Sequence, residues 1–437
     1  MSPTACHCPH EKTPLIEVLP VPVIATRQKK RPSCCHRLFK VVIALFGALF
    51  VLDLLSHGPV YRRLRNNYHG FVDSLPDSFA DLYVDALVSG GGEGGQPKHP
   101  VPPMDDWTPF EGTTHFEIEP RAASGLAVHG DKAFGKVVFE TSKLSDKVVI
   151  DLDIKTNKLD KHGDVIVEEK NGHLTIRTPD AGKLETYASA KIQIPSNILG
   201  TFGMRHFDID VPAHMVDYSA LPKSLEIGDF AIRVAKGFVK PGPVHTNRTA
   251  ISIADGAVRG SLTHGRQHTE IDVAKGNATV DIPRISAGNE GSTHIHIGNG
   301  HLNGTLAVYN STSVDVGFGS IWIDVDFKDT EHRAHLSTKI VSGPSRVFVD
   351  SLPPDRLFRS EHLTVAGDQL ITYPSSFEGT IDARGFAGDI KLTGDDLDVE
   401  EVVGGAVGRK GDWDRNYMSV KAVKGALDIL VGDDDES

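Results

Sequence analysis

After residue 107, apolar and polar positions alternate over short runs, as in VVIDLDI (148–154), DVIVEE (164–169), HLTIRT (173–178) and AKIQIP (190–195). A period of two, punctuated by Gly and Asn-Gly, predicts strands with one buried face. No convincing amphipathic helix interrupts them, so the expected fold class is all-β. The pattern sharpens in IRVAKG (232–237), ISIADG (251–256), IDVAKG (271–276), IHIGNG (295–300) and VDVGFG (314–319), which share the form apolar-x-apolar-x-x-Gly. Their glycines, Gly237, Gly256, Gly276, Gly300 and Gly319, lie 19, 20, 24 and 19 residues apart. A period near twenty signals stacked units. Each unit is expected to supply a strand, a turn that glycine permits at φ > 0, and a second strand such as SIWIDVDF (320–327). VKAVKG (420–425) repeats the form weakly. One unit has too little apolar surface to fold alone, whereas a stack buries a continuous core. These features predict a parallel β-solenoid-like repeat ectodomain over 107–430. The alternative is a set of tandem antiparallel β-sandwiches whose hairpins recur at regular spacing.

One segment breaks the alternation. VVIALFGALFVL (41–52) is uncharged, and Asp53 is followed by Leu54 and Leu55. The stretch 41–55 is short against the ~20 residues of a typical span. Its Val, Ile, Leu and Phe residues nevertheless favour insertion by roughly 3 to 6 kcal/mol, against at most about 3 for one Asp near an end. The reading is one N-terminal transmembrane helix acting as a signal anchor. A buried core helix and a cleavable signal peptide are the alternatives. Arg27, Lys29, Lys30, Arg31, Arg37 and Lys40 precede the span and only Arg62, Arg63 and Arg65 follow closely, which sets the N-terminus in the cytosol. That is a single-pass type II topology in the secretory pathway or at the cell surface. All four cysteines precede the span, and the sequons at Asn247, Asn277, Asn303 and Asn310 all follow it, as reduced thiols and luminal glycosylation require.

The remaining boundaries follow from composition. Residues 1–40 read as a basic, disordered cytosolic tail and 56–88 as a juxtamembrane segment, helical around FADLYVDALV (79–88). Residues 89–106 form a Gly/Pro linker, and 431–437 an acidic tail. Cys34 and Cys35, beside Arg31 and Arg37, suit S-palmitoylation as well as they suit unmodified thiols. Cys6, His7, Cys8 and His10 read as loosely spaced donors in a Pro-rich tail and not as a metal site. The segments GHLTIRTP, ISIADGAVRGSL, IDVAKGNATVDI, LTVAG and GTIDARGFAGDIKLTG resemble the putative-adhesin family of β-repeat domains of unknown function, over roughly residues 115–430. The plan of basic leader, one span and Cys-free repeat domain is similar to membrane proteins of fungi that carry such domains. The resemblance implies a β-solenoid-like ectodomain with no established catalytic role.

Charge and candidate chemistry narrow the function classes. The net charge is −12, yet residues 1–40 are basic, so the ectodomain is strongly acidic and repels phosphate backbones; no nucleic-acid partner is expected. Of 21 His, the densest group is His294, His296 and His301 in THIHIGNGH. Alternation with Ile295 and Ile297 assigns His294 and His296 to the solvent side of a strand, with His301 past the turn, and no metal is expected there. Asp395 and Asp396 are an adjacent carboxylate pair in a strand-like context, and a turn explains them better than an acid–base pair. Trp107, Trp322 and Trp413 are few for a glycan platform, although alternation with Ile321 and Ile323 turns Trp322 outward. No nucleophile elbow, Walker loop, dinucleotide fingerprint or zinc-protease motif occurs. The expectation is a non-catalytic surface or luminal protein without cofactor, adhesion-like or structural, whose partners are the membrane and cell-wall glycans or surface proteins. The alternative is a carbohydrate-active β-helix enzyme.

Overall fold

The computed structural model describes Met104 and residues 106–120, 123–143, 145–157, 165–178, 185–196, 204–283, 291–327, 333–352 and 357–432. All belong to the second of the two units into which the chain divides, Val51–Ser437. The expected span at 41–55, the leader with Cys34 and Cys35, the segment 56–88, the linker up to Pro103 and the acidic run from Asp433 lie outside the described residues. Among the described residues no helix is long and apolar enough to cross a membrane.

The all-β expectation holds: the described residues form 24 strands in one large mixed sheet that does not close. The first region comprises β1 (Thr108–Pro109), β2 (His115–Ile118), β3 (Ala123–His129), β4 (Ala133–Ser142), β5 (Val148–Thr156), β6 (Ile166–Lys170), β7 (His173–Arg177) and β8 (Thr186–Pro195). Six long strands follow: β9 (Met204–Asp217), β10 (Glu226–Lys240), β11 (His245–Ser261), β12 (His268–Asp281), β13 (Ser292–Ala307) and β14 (Ser311–Asp326). The last region holds β15 (Ala334–Ser342), β16 (Ser345–Ser351), β17 (Phe358–Ala366), β18 (Gln369–Tyr373), β19 (Gly379–Ala387), β20 (Ile390–Gly394), β21 (Asp398–Val402), β22 (Gly405–Lys410), β23 (Tyr417–Lys424) and β24 (Leu427–Val431).

From β9 to β14 each strand pairs in parallel with the next, so that Ile232, Ile251, Ile271, Ile295 and Val314 form one inward column. The sequence pattern predicts a turn between two strands in each unit. The structure has instead one long strand, bent at its glycine. Gly237, Gly256, Gly276, Gly300 and Gly319 adopt φ between 133 and 151° and stack on one another, and the residue two before each glycine drops out of the ladder. That corner shifts the inward phase by one residue. On β12, Ile271 and Val273 are buried before Gly276, and Ala278 and Val280 after it. A straight strand of period two could not bury both sets. In the sequence this appears as the two-residue gap between the second apolar position and the glycine.

Beyond β14 each rung splits into two strands, β15 with β16 and β17 with β18. Chain order then breaks: β23 and β24 insert between β17/β18 and β19/β20. Asn416 marks this insertion. It is buried, its Oδ1 accepts from the Phe358 backbone N–H at 2.8 Å, and its Nδ2 donates to the Glu378 carbonyl at 2.7 Å. Asn416→Ala strands both backbone groups and is expected to cost about 2–3 kcal/mol, read as a lower urea midpoint at unchanged slope.

Antiparallel pairing is confined to the two ends. At one, β5 pairs with β8 and carries β1 and β2, while β6 pairs with β7. At the other, β22 pairs with β19 and β21 with β22. The outer strands β6 (IVEEK) and β21 (DVEEV) are charged, which discourages further strands from adding to the sheet. The core runs through as one cluster, aliphatic in the middle and aromatic towards each end. Phe139, Phe207, Tyr218 and Phe230 meet edge-to-face near the first end, and Phe327, Phe358, Tyr373 and Phe377 meet near the second.

Candidate functional site

The position between the two inward apolar residues of each unit faces outward, and parallel register turns it into a column. Ser252, Asp272, His296, Asp315 and Lys339 follow one another across five rungs. Two residues earlier, Glu270, His294 and Ser313 form a second column beside the first, and two residues earlier again His268, Ser292 and Ser311 form a third. The rungs β12, β13 and β14 thus bring together three imidazoles and three carboxylates on one face.

Contacts within this face are short but incomplete. His268 Nδ1 lies 2.8 Å from Ser292 Oγ, and Ser313 Oγ donates to Asp315 Oδ2 at 3.3 Å. His294 Nδ1 is 3.9 Å from Asp315 Oδ2, and His268 Nε2 is 3.9 Å from Glu270 Oε2. Asp272 and Asp315 are only 7% and 9% exposed, and Asp315 Oδ1 has no hydrogen-bond partner among the described residues. Burial, reinforced by the Glu270 charge, pushes the Asp272 carboxyl up to about 7. Burial pushes His296 and His268 down. Asp315 partly opposes this at His296, and Glu270 does so at His268. The face therefore holds a carboxyl that keeps its proton near neutrality beside imidazoles that resist taking one. Such a mixture of donors and acceptors suits contact with hydroxyl-rich or polar ligands. Among the described residues no group of three or more His, Cys, Asp or Glu is arranged to hold a metal ion.

His294 and His296 lie on the outward face, as the alternation requires, but His296 is largely covered by its neighbours. His301 lies past Gly300 on the second arm of the same strand, exposed, with Nδ1 2.8 Å from Ser320 Oγ. Asp395 and Asp396 sit exposed in a turn after β20, with Asp396 at φ 54°. The gathering of Glu270, Asp272 and Asp315 escapes sequence reading because Asp315 is far from the other two in the chain. Aligning IDV (271–273), IHI (295–297) and VDV (314–316) on their glycines is the signal that finds it.

All four sequon asparagines are exposed. Asn277 and Asn303 project from the second arms of β12 and β13, and Asn277 Oδ1 accepts from the His301 backbone N–H at 3.0 Å. Asn310 immediately precedes β14. Asn247 lines a polar cavity of about 380 Å³ with Arg205, Glu226, His245 and Arg266, where Arg266 Nη2 donates to Glu226 Oε1 at 2.8 Å. A second cavity of about 270 Å³ is lined by Arg333, Arg359, Arg415, Asp414 and Tyr417. Two of its arginines are engaged, Arg359 with Glu361 at 3.2 Å and Arg415 with Glu378 at 3.0 Å. Trp107 meets Phe134 edge-on at 5.7 Å, whereas Trp322 and Trp413 are each 55% exposed.

No protein-family model matches the chain, and no curated protein matches it. Solved structures similar to it are described as cell-adhesion proteins. A putative cell adhesion protein from Clostridium sporogenes is 14% identical over 74% of this chain and 100% of its own, with a TM-score of 0.18. A putative adhesin from Parabacteroides distasonis is 13% identical over 74% of this chain and 98% of its own, with a TM-score of 0.27. Superpositions with TM-scores this low carry no argument for the architecture or the role of this chain.

Proposed function

We propose that this chain is a membrane-tethered, glycosylated, non-catalytic β-repeat protein that acts by surface contact, in adhesion or in organising the material around it. On this reading the parallel ladder is the body of a β-solenoid, anchored by residues 41–55 with its N-terminus in the cytosol and its repeat domain at the cell surface or in the secretory pathway. The observation that carries the proposal is the outward face of β12 to β14, where His268, Glu270, Asp272, His294, His296 and Asp315 line up in columns along the stack. A face of that kind meets an extended partner over several rungs, and its polar groups suit the hydroxyls of cell-wall glycans or the polar surface of a protein.

The full chain, purified in detergent, tests this by retention on immobilised cell-wall glycans and surface extracts. Retention is expected, and the double variant His296→Ala/Asp315→Ala is expected to weaken it at least tenfold while leaving the circular dichroism spectrum unchanged. Release of new reducing ends from the same glycans would overturn the non-catalytic reading. Retention indifferent to the double variant would remove this face from the contact.

A further inference from the structure

The second arms of the rungs carry their own outward columns, and one places an acceptor asparagine directly beside an exposed indole. Asn303 on β13 is the register partner of Trp322 on β14. Adjacent parallel strands lie about 4.8 Å apart, so the two side chains leave the sheet side by side. Trp322 is 55% exposed, and among the described residues it meets no other ring, cation or hydrogen-bond partner. The other three acceptors differ. Asn277 stands between Ala257 and His301 in the ladder, Asn247 lies at the rim of the polar cavity, and Asn310 precedes its strand.

We infer that Trp322 is the platform for the first sugar of a glycan linked to Asn303, a reading that rests on the glycosylation proposed above. The C–H bonds of a pyranose ring carry slight positive charge and match the electron-rich face of an indole. A sugar on Asn303 Nδ2 starts one strand spacing from that face, so stacking costs little additional ordering. Arg346 follows Trp322 in the same column on β16, and Asp324 stands two residues on along β14. Both supply polar groups at the border of the platform. The stacked sugar covers an apolar ring left open on a surface of threonines, asparagines and charged groups, and holds the glycan down along the stack. Asn277 has beside it only the imidazole of His301, itself engaged with Ser320, and no indole, so its glycan lacks a comparable platform.

The experiment uses the full chain from a eukaryotic host, with occupancy of each sequon read by glycopeptide mass spectrometry. The folded protein is then digested with an amidase that removes N-glycans. Asn303 is expected to release its glycan about fivefold more slowly than Asn277, the factor that corresponds to roughly 1 kcal/mol of stacking. Trp322→Ala is expected to remove that difference and Trp322→Tyr to retain most of it. Because Trp322 faces outward, neither variant should alter the far-ultraviolet spectrum. An unoccupied Asn303 overturns both this inference and the glycoprotein reading at that residue. An occupied Asn303 whose release rate ignores Trp322→Ala overturns the inference and leaves the glycoprotein reading standing.

Discussion

Gly300→Ala is expected to abolish cooperative folding. Gly300 sits at φ 151° in the middle of the stack, and a Cβ there would lie 1.6 Å from the Gly276 carbonyl oxygen of the preceding rung. The obstacle is backbone, so no side chain can swing aside. Separating the two rungs by even 1 Å would stretch the parallel hydrogen bonds on either side, and the next rung is as tight, since a Cβ added at Gly319 would lie 1.6 Å from the Gly300 carbonyl oxygen. The strained dihedral alone costs about 1–3 kcal/mol, and the forced displacement takes the total above roughly 5 kcal/mol, comparable with the entire stability of many domains. Gly404→Ala is the matched control. It also has positive φ, 74°, but the nearest atom to its Cβ is 3.9 Å away, so only the dihedral penalty of about 1–2 kcal/mol applies. Urea titration by circular dichroism separates the two, and equal losses would refute the account of the glycine column.

The same column shows how far the sequence was legible. Five glycines could be aligned because an apolar-x-apolar pair precedes each. The column continues through Gly343, Gly367, Gly425 and Gly388, each of whose added Cβ would strike the carbonyl of the rung before it. Gly343 and Gly367 did not join that alignment because their inward pairs are not both apolar, although Ile340 keeps one such position before Gly343. Thr338 stands in the TKIVSG unit (338–343), and His362 and Thr364 in HLTVAG (362–367). Inside the stack those groups satisfy one another in part: Thr338 Oγ1 lies 2.8 Å from His362 Nδ1, and His362 Nε2 lies 3.4 Å from the Tyr373 hydroxyl. A buried polar set of this kind erases the hydrophobic period even though the positions are fully inside the stack. The insertion of β23 between β17 and β19 was illegible for another reason. A repeat period reports that units stack, but any rung can accept any other of similar shape, so the order along the stack is decided by long-range groups such as Asn416. Likewise His294 and His296 could be placed on the outward face from alternation alone, while their carboxylate neighbours required the register.

Acid should unfold this protein well before its surface carboxylates titrate. His214, His264 and His362 are buried, and burial pushes them down to about 4, 4 and 3 from an ordinary 6.5. Between pH 6.5 and 4 the unfolded chain therefore binds protons that the folded chain refuses. Their contribution is fully present above pH 6.5 and is lost as pH falls towards 4, by roughly 3 kcal/mol each at 1.4 kcal/mol per unit. Asp272 acts in the opposite sense. Its folded value of about 7 lies above the ordinary 3.8, so the folded chain binds a proton that the unfolded chain has released, and stability rises as pH falls from 7 to 4. That gain is on the order of 4 kcal/mol, less than the combined loss from three histidines, and the net slope favours unfolding in acid. The Tm should fall steeply between pH 6.5 and 4.5. His264→Phe, which keeps a ring against Tyr309 where the imidazole now lies at 4.5 Å, should flatten that fall by about half, since it removes one of three comparable losses while the opposing Asp272 gain remains. A Tm that stays level or climbs across this range would mean that the three imidazoles are reached by water in the folded state, and that the packing around them is looser than the burial described above.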